Sequence, residues 1–225
     1  ARTGVPTGPM DATTALWSAA DALRRGPVGT ARNLLTRIPG GGTLQYFRES
    51  GVPFTDDSVG LKNFVATGIS DLTEKQRILQ HAAGADIYQL NGGGNPSANR
   101  ATIMGDIINS SPAFVEYAWS QVSDRISGFN DLAAVGGSRF RLILVGTNQG
   151  WLHAFGEVSR TDLQGVLHAA VQELWSFMPT DFLANLDYIK AGGNPHRFMV
   201  DGSPLIYHLD LPPTMGARGT AWWTR

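Results

Sequence analysis

The chain has 225 residues, a formal net charge of −1, 16% charged and 42% hydrophobic residues, 27 Gly, 12 Pro and no Cys. That length allows one or two domains with a sizeable core, and Gly above the usual ~7% with charge below the usual ~25% describes a turn-rich globular protein. Near-neutral charge without a basic cluster argues against nucleic-acid binding, no uncharged apolar run approaches the ~18 residues of a membrane helix, and the lack of Cys removes disulfides, Cys-ligated zinc, iron–sulfur clusters and a thiol nucleophile.

Ala1-Arg2-Thr3-Gly4, with no initiator Met and no hydrophobic signal core, reads as a processed start. Leu16, Ala19, Ala20 and Leu23 recur at helical spacing, which predicts a helix from Asp11 to Arg25 stopped by Gly26-Pro27. Asp71 with Glu74 resembles a capping box and opens a helix over Leu72–Ala83 that closes at Gly84. Pro39-Gly40-Gly41-Gly42 and the 91–96 segment punctuate loops. Residues 1–99 thus read as a helical and loop-rich lead-in.

From about Arg100 the period shortens. Strands are expected at Ile103–Ile108 and Ala113–Val115, separated by Asn109-Ser110-Ser111-Pro112, and at Leu142–Thr147. The turn Asn148-Gln149-Gly150 leads into Trp151–Phe155, where alternation puts Trp151, His153 and Phe155 on one face. Leu163, Val166, Leu167, Ala170 and Val171 then predict an amphipathic helix over 162–172. Strand character returns at Glu173–Met178, followed by a short helix over Asp181–Ile189 and strands at Arg197–Val200 and Leu205–Leu209. Ala221–Arg225 reads like a strand in progress, and Trp222 and Trp223 would expose much apolar surface unless covered. A fragment, or one piece of a larger assembly, is expected; the competing reading is a C-terminal strand docked on its own sheet. Short antiparallel strands joined by Gly and Asn turns suggest propeller blades or a sandwich.

Catalytic motifs are sparse. Neither Gly triplet (40–42, 92–94) is followed by Gly-Lys-Ser/Thr, so both read as loops and not phosphate cradles. The five His residues lack zinc spacing, and no Gly-x-Ser-x-Gly occurs. His153 reads as a buried, hydrogen-bonded sheet residue. Asp106 and Asp201, each beside a Gly, read as side chains that tie turns to the backbone.

The run Leu142–Thr147, Asn148-Gln149-Gly150, Trp151–Phe155 and Glu173-Leu174-Trp175-Ser176-Phe177 is similar to a quinoprotein-type propeller repeat. Its Asx-Gly turn supplies positive φ, and Trp175 is a plug suited to packing between blades. Gly105-Asp106-Ile107-Ile108-Asn109-Ser110-Ser111-Pro112, Leu152-His153-Ala154-Phe155 and His196-Arg197-Phe198-Met199-Val200-Asp201-Gly202-Ser203-Pro204 narrow the match. Together they resemble the PilY/PilC family of type IV pilus biogenesis and tip-adhesin proteins. Arg32-Asn33-Leu34-Leu35-Thr36 looks like the helical section preceding that family's propeller, and the resemblance covers roughly residues 15–211.

The resemblance implies a mainly β fold with a helical lead-in, in which residues 100–225 form the first two to three blades of a propeller of about seven. Residues 156–172, 91–99 and Trp222-Trp223 would be contact elements. Gly105, Asp106, Asn109, Ser110, Pro112, Asn148, Gly150, His153, Phe155, Trp175, Asp201 and Gly202 would be structural motif residues. It further implies an exported, non-enzymatic protein of the periplasm, outer cell surface or pilus tip. Its partners would be minor pilins, the remainder of the propeller or a second chain, and a host or abiotic surface. No Asp-x-Asp-x-Asp-Gly loop is present, so no cofactor is evident and calcium is expected only from sequence outside these residues. The rival is a periplasmic quinone- and calcium-dependent dehydrogenase, which needs most of a propeller around its cofactor.

Overall fold

A computed structural model of the chain describes residues 17–24, 32–38, 44–46, 61–88, 98–100, 102–118, 139–161, 167–190 and 197–207. In chain order these form α1 (Ala19–Arg24), β1 (Leu34–Arg37), β2 (Leu44–Tyr46), a 3-10 turn (Leu61–Asn63) and α2 (Leu72–Ala82). There follow β3 (Ala113–Ala118), β4 (Arg139–Gly146), β5 (Leu152–Thr161), β6 (Leu167–Met178), α3 (Thr180–Leu183) and a second 3-10 turn (Leu186–Lys190). The fold is mostly sheet with few helices.

One mixed sheet runs in the order β2-β1-β6-β5-β4-β3. β3 to β6 pair as a consecutive antiparallel meander. β1 then adds to the far side of β6 in parallel, Leu35 opposite Phe177, and β2 pairs antiparallel with β1. The segment expected as a helical lead-in at 32–36 is therefore largely strand. In β1 Leu34 and Thr36 are buried while Arg37 is exposed, and the Thr36 hydroxyl donates to Met178 O at 2.8 Å. A four-residue strand of this kind is held by its ladder, which local propensity cannot reveal.

The predicted helix over 162–172 is also corrected, since residues 167–172 lie in β6. β5 and β6 form one long hairpin from Leu152 opposite Phe177 out to Thr161 opposite Leu167, with a bulge between Ala154 and Phe155. A helix of about eleven residues is marginal alone, and the ladder offered by β5 overrides the helical spacing. Two expected strand regions are irregular: 103–108, and 197–200 with 205–207. Residues 103–108 and 197–200 meet the β4–β5 turn, where Asn148 bonds to Asp106 and Met199. The helix expected over 181–189 divides into α3 and the second 3-10 turn.

Among the described residues two clusters fill the interior. One joins Ile78, Leu79 and Ala82 of α2 with Leu34, Trp151, Met178 and Leu183. The other joins Leu23 of α1 with Ile103, Val145 and Phe155, and Trp17 approaches Phe155 with ring centroids 5.7 Å apart. α2 begins as its sequence predicts, with the Asp71 carboxylate accepting from Thr73 N–H at 2.9 Å. Glu74 turns instead to Tyr88, whose hydroxyl donates to it at 2.9 Å. The helix ends at Gly84, φ +110°, with Ala85 N–H donating back to Gln80 O at 3.0 Å.

Candidate interaction site

Three stretches far apart in sequence converge at the β4–β5 turn. Thr147 N–H donates to Trp151 O at 2.9 Å and Gly150 N–H to Thr147 O at 3.0 Å. Gly150 sits at φ +86°, a conformation that costs an L-residue with a side chain roughly 1–2 kcal/mol. The 105–112 stretch lies on one side of this turn. Asn148 N–H donates to Asp106 O at 3.0 Å, and the Asn148 amide donates to the Asp106 carboxylate at 3.2 Å. Gly146 N–H donates to the Ser110 hydroxyl at 3.2 Å. The 197–204 stretch lies across both. Met199 N–H donates to Asn148 Oδ1 at 3.4 Å, Asn109 Nδ2 to Asp201 Oδ2 at 2.7 Å, and Ser111 N–H to Ser203 Oγ at 2.9 Å. Gly146 makes the close approach possible, because a Cβ there would stand 2.4 Å from Val200 O.

Gly105, Asp106, Asn109, Ser110, Asn148, Gly150 and Asp201 thus meet at one junction, with Gly202 and Pro112 exposed beside it. His153 and Phe155 lie behind it in the interior, 0% and 1% exposed. Trp175 is half-buried on β6, opposite Ala154 and away from the junction. Trp222, Trp223, the 91–97 part of the 91–99 loop and residues 162–166 lie outside the described residues.

The junction is flanked by apolar surface. Ile107 (41% exposed), Ile108 (55%), Phe114 (60%), Phe198 (58%), Leu205 (93%) and Tyr207 (77%) all lie in or next to its two outer stretches or on β3 at the sheet edge. Large apolar side chains left exposed along these stretches are available for contact with another surface.

Behind the junction is a buried charged network. Arg32 grips Glu173 in bidentate fashion, Nε to Oε2 at 2.5 Å and Nη2 to Oε1 at 2.8 Å, and its Nη1 donates to Ala83 O at 2.8 Å. His153 Nδ1 lies 2.8 Å from Glu173 Oε1 and 2.7 Å from Ser176 Oγ, while the Ser176 hydroxyl also donates to Glu173. Burial alone would raise the Glu173 carboxyl, but the Arg32 guanidinium overrides it and holds the group well below the usual carboxylate range. Burial depresses His153 below its ordinary value despite the adjacent Glu173, so the ring is neutral at pH 7.

Ser176, His153 and Glu173 are not a nucleophilic triad. Serine and carboxylate share the same ring nitrogen, whereas the relay needs them on opposite ones. The other nitrogen faces Thr147 at 3.5 Å, and Thr147 is fully buried. No substrate reaches these groups as they stand. Among the described residues no group of three or more His, Cys, Asp or Glu could hold a metal ion, and no helix is long and apolar enough to cross a membrane.

The sequence reading missed this network as a unit. Its visible signals are His153, read as a buried, hydrogen-bonded sheet residue, and a carboxylate, Glu173, in strand β6. Its partner Arg32 stands 141 positions away, a pairing that no local pattern exposes.

No family model and no solved structure matches the chain. Among curated proteins, the type IV pilus biogenesis factor PilY1 of Pseudomonas aeruginosa, strains PAK and PAO1, is 28% identical over 200 residues. The PilY1 homolog of Xylella fastidiosa is 28% identical over 177 residues. The Pseudomonas matches take in 79% of this chain but 16% of the relative, and the Xylella match 72% and 14%. The chain thus spans about a sixth of the length of the relatives it matches. These matches support the resemblance drawn from the motifs: in sequence the chain is PilY1-like.

Proposed function

We propose that this PilY1-like chain serves type IV pilus assembly as a recognition element, and that it acts by protein–protein and surface contact without enzymatic turnover. The observation that carries this reading is the exposure of the large apolar side chains Ile107, Ile108, Phe114, Phe198, Leu205 and Tyr207. Large apolar side chains carried on or beside a hydrogen-bonded junction offer a contact face. The polar bonds between 109–111 and 201–203 fix its shape, so little ordering cost falls on binding.

In this reading β3 to β6 form one blade of a quinoprotein-like propeller, and residues 1–99 act as a lead-in that buttresses it through β1. In the same reading the segment 156–172 is a second contact element. The occupants of the contact face would be minor pilins of the pilus tip, with a host or abiotic surface reached through the assembled tip. In this reading the protein acts in the periplasm, at the outer cell surface or at the pilus tip.

The test is capture of purified minor pilins by the full chain, compared with Ile108→Asp and Phe114→Asp variants that retain its circular dichroism and urea midpoint. Capture weakened about tenfold or more by each substitution supports the reading; each lost apolar contact at an interface centre is worth roughly 1–2 kcal/mol. No capture by the wild-type chain, or undiminished capture by both variants, overturns it. Saturable quinone binding with dye reduction in the presence of calcium would overturn the non-enzymatic part.

A further inference from the structure

A second guanidinium lies near the first, at the C-terminal end of α2. Arg100 N–H donates to Gly84 O at 2.9 Å and Asp86 N–H to Ala98 O at 2.8 Å, with Ala85 and Asn99 bridged between them. Antiparallel alternation puts the Arg100 and Asp86 side chains on the same side of this bridge. Both are buried, 5% and 1% exposed. Arg100 Nε and Nη2 are themselves fully buried, and neither has a hydrogen-bond partner among the described residues.

Those two nitrogens form one edge of the guanidinium. Arg32 fills the same edge with the Glu173 carboxylate. A fork of two parallel N–H donors fits a planar two-oxygen anion better than any other small group. Burial, followed by the nearby charge of Arg32, pushes Arg100 down to about 10, so the side chain is still a cation at neutral pH. Asp86 supplies countercharge from the same side of the bridge but does not bond this edge.

We propose that the Nε–Nη2 edge of Arg100 is a binding site for a small planar oxyanion of the carboxylate class, held in the bidentate manner in which Arg32 holds Glu173. The near-complete burial of Arg100 selects a small free anion over an acidic side chain of another protein. The inference is independent of the pilus reading.

The experiment uses the full chain labelled with 15N and follows the arginine side-chain Nε–H resonances at pH 7. The Arg100 signal is assigned by its loss in Arg100→Lys and by through-bond correlation to its own backbone in the wild type. Sodium formate is titrated against sodium chloride at matched ionic strength. The expected result is a saturating shift of the Arg100 resonance with formate alone. It is accompanied by a rise in the wild-type urea midpoint that Arg100→Lys does not share. A resonance that formate does not move overturns the proposal. So does an equal response to chloride, which marks an adventitious ion only. If Arg100→Lys does not fold, the backbone-correlated signal and the wild-type midpoints in the two salts decide the matter alone.

Discussion

Replacing Glu173 by Gln should cost far more than a conservative exchange suggests. The carboxylate is 2% exposed and its partner Arg32 7%, so water screens neither charge. Glu173 accepts two bonds from Arg32, one from Ser176, and lies in bonding range of His153. Glutamine keeps one oxygen and turns the other position into an N–H donor, which faces either the guanidinium or the His153 and Ser176 pair. One charge-assisted bond worth roughly 1.5–3 kcal/mol is lost, and the guanidinium is left without its countercharge. Removing one partner of a buried ion pair costs about 3–5 kcal/mol in all. At about 2–4 °C per kcal/mol for a chain of this size, Tm should fall by roughly 6–20 °C. Urea and thermal unfolding of the wild type and Glu173→Gln measure it. A double replacement, Arg32→Met with Glu173→Leu, should restore most of the loss, since apolar pairs often equal buried ion pairs. A loss below about 1 kcal/mol for Glu173→Gln, the range of exposed ion pairs, would refute the reasoning by showing that solvent reaches the network.

Four further expectations follow from the structure. His153 is depressed by burial from its ordinary 6.5, so between that value and its lower folded one the unfolded chain binds a proton that the folded chain refuses. Stability therefore falls as pH drops below about 6.5. The urea midpoint should decline between pH 7.5 and 5.5 more steeply in the wild type than in His153→Gln, and equal slopes would discount His153. Gly146→Ala drives a Cβ to within 2.4 Å of Val200 O and should cost about 1–3 kcal/mol, with faster proteolysis near 199–203. Gly202→Ala meets nothing within 4 Å and should stay within about ±0.5 kcal/mol; a larger loss there would show that its turn needs glycine after all. Asp201→Ala removes an exposed bond to Asn109 and should cost no more than about 1 kcal/mol by urea unfolding.

The parts of the fold legible in the sequence are those fixed by neighbours along the chain. The β4–β5 hairpin follows from alternation on either side of Asn148-Gln149-Gly150, and α2 from the Asp71 cap and the Gly84 stop. The outer half of the β5–β6 hairpin was not legible, because Leu167, Ala170 and Val171 satisfy helical spacing until a partner strand stands beside them. Val200 has strand propensity, yet its segment follows the junction and not a ladder. The junction was legible as separate motifs, but only the fold shows that Asn109 meets Asp201 and that Asn148 meets both Asp106 and Met199. The Arg32–Glu173 pair and the Arg100 fork depend on long-range packing and left little local trace.

The parallel contact between β1 and β6 has a consequence for the order of events during synthesis. Thr36 and its acceptor Met178 are 142 positions apart, so β1 leaves the ribosome long before the strand that completes it. The β3–β6 meander can form from local hairpins, whereas β1 must wait, and non-local pairing of this kind slows folding. Until β6 arrives, Leu34 and Leu35 form part of an unmatched apolar edge at risk of pairing with another chain. A nascent chain stalled before residue 167 should therefore depend on a holding chaperone more than one released after 190, and the docking of Arg32 on Glu173 would mark the moment that dependence ends.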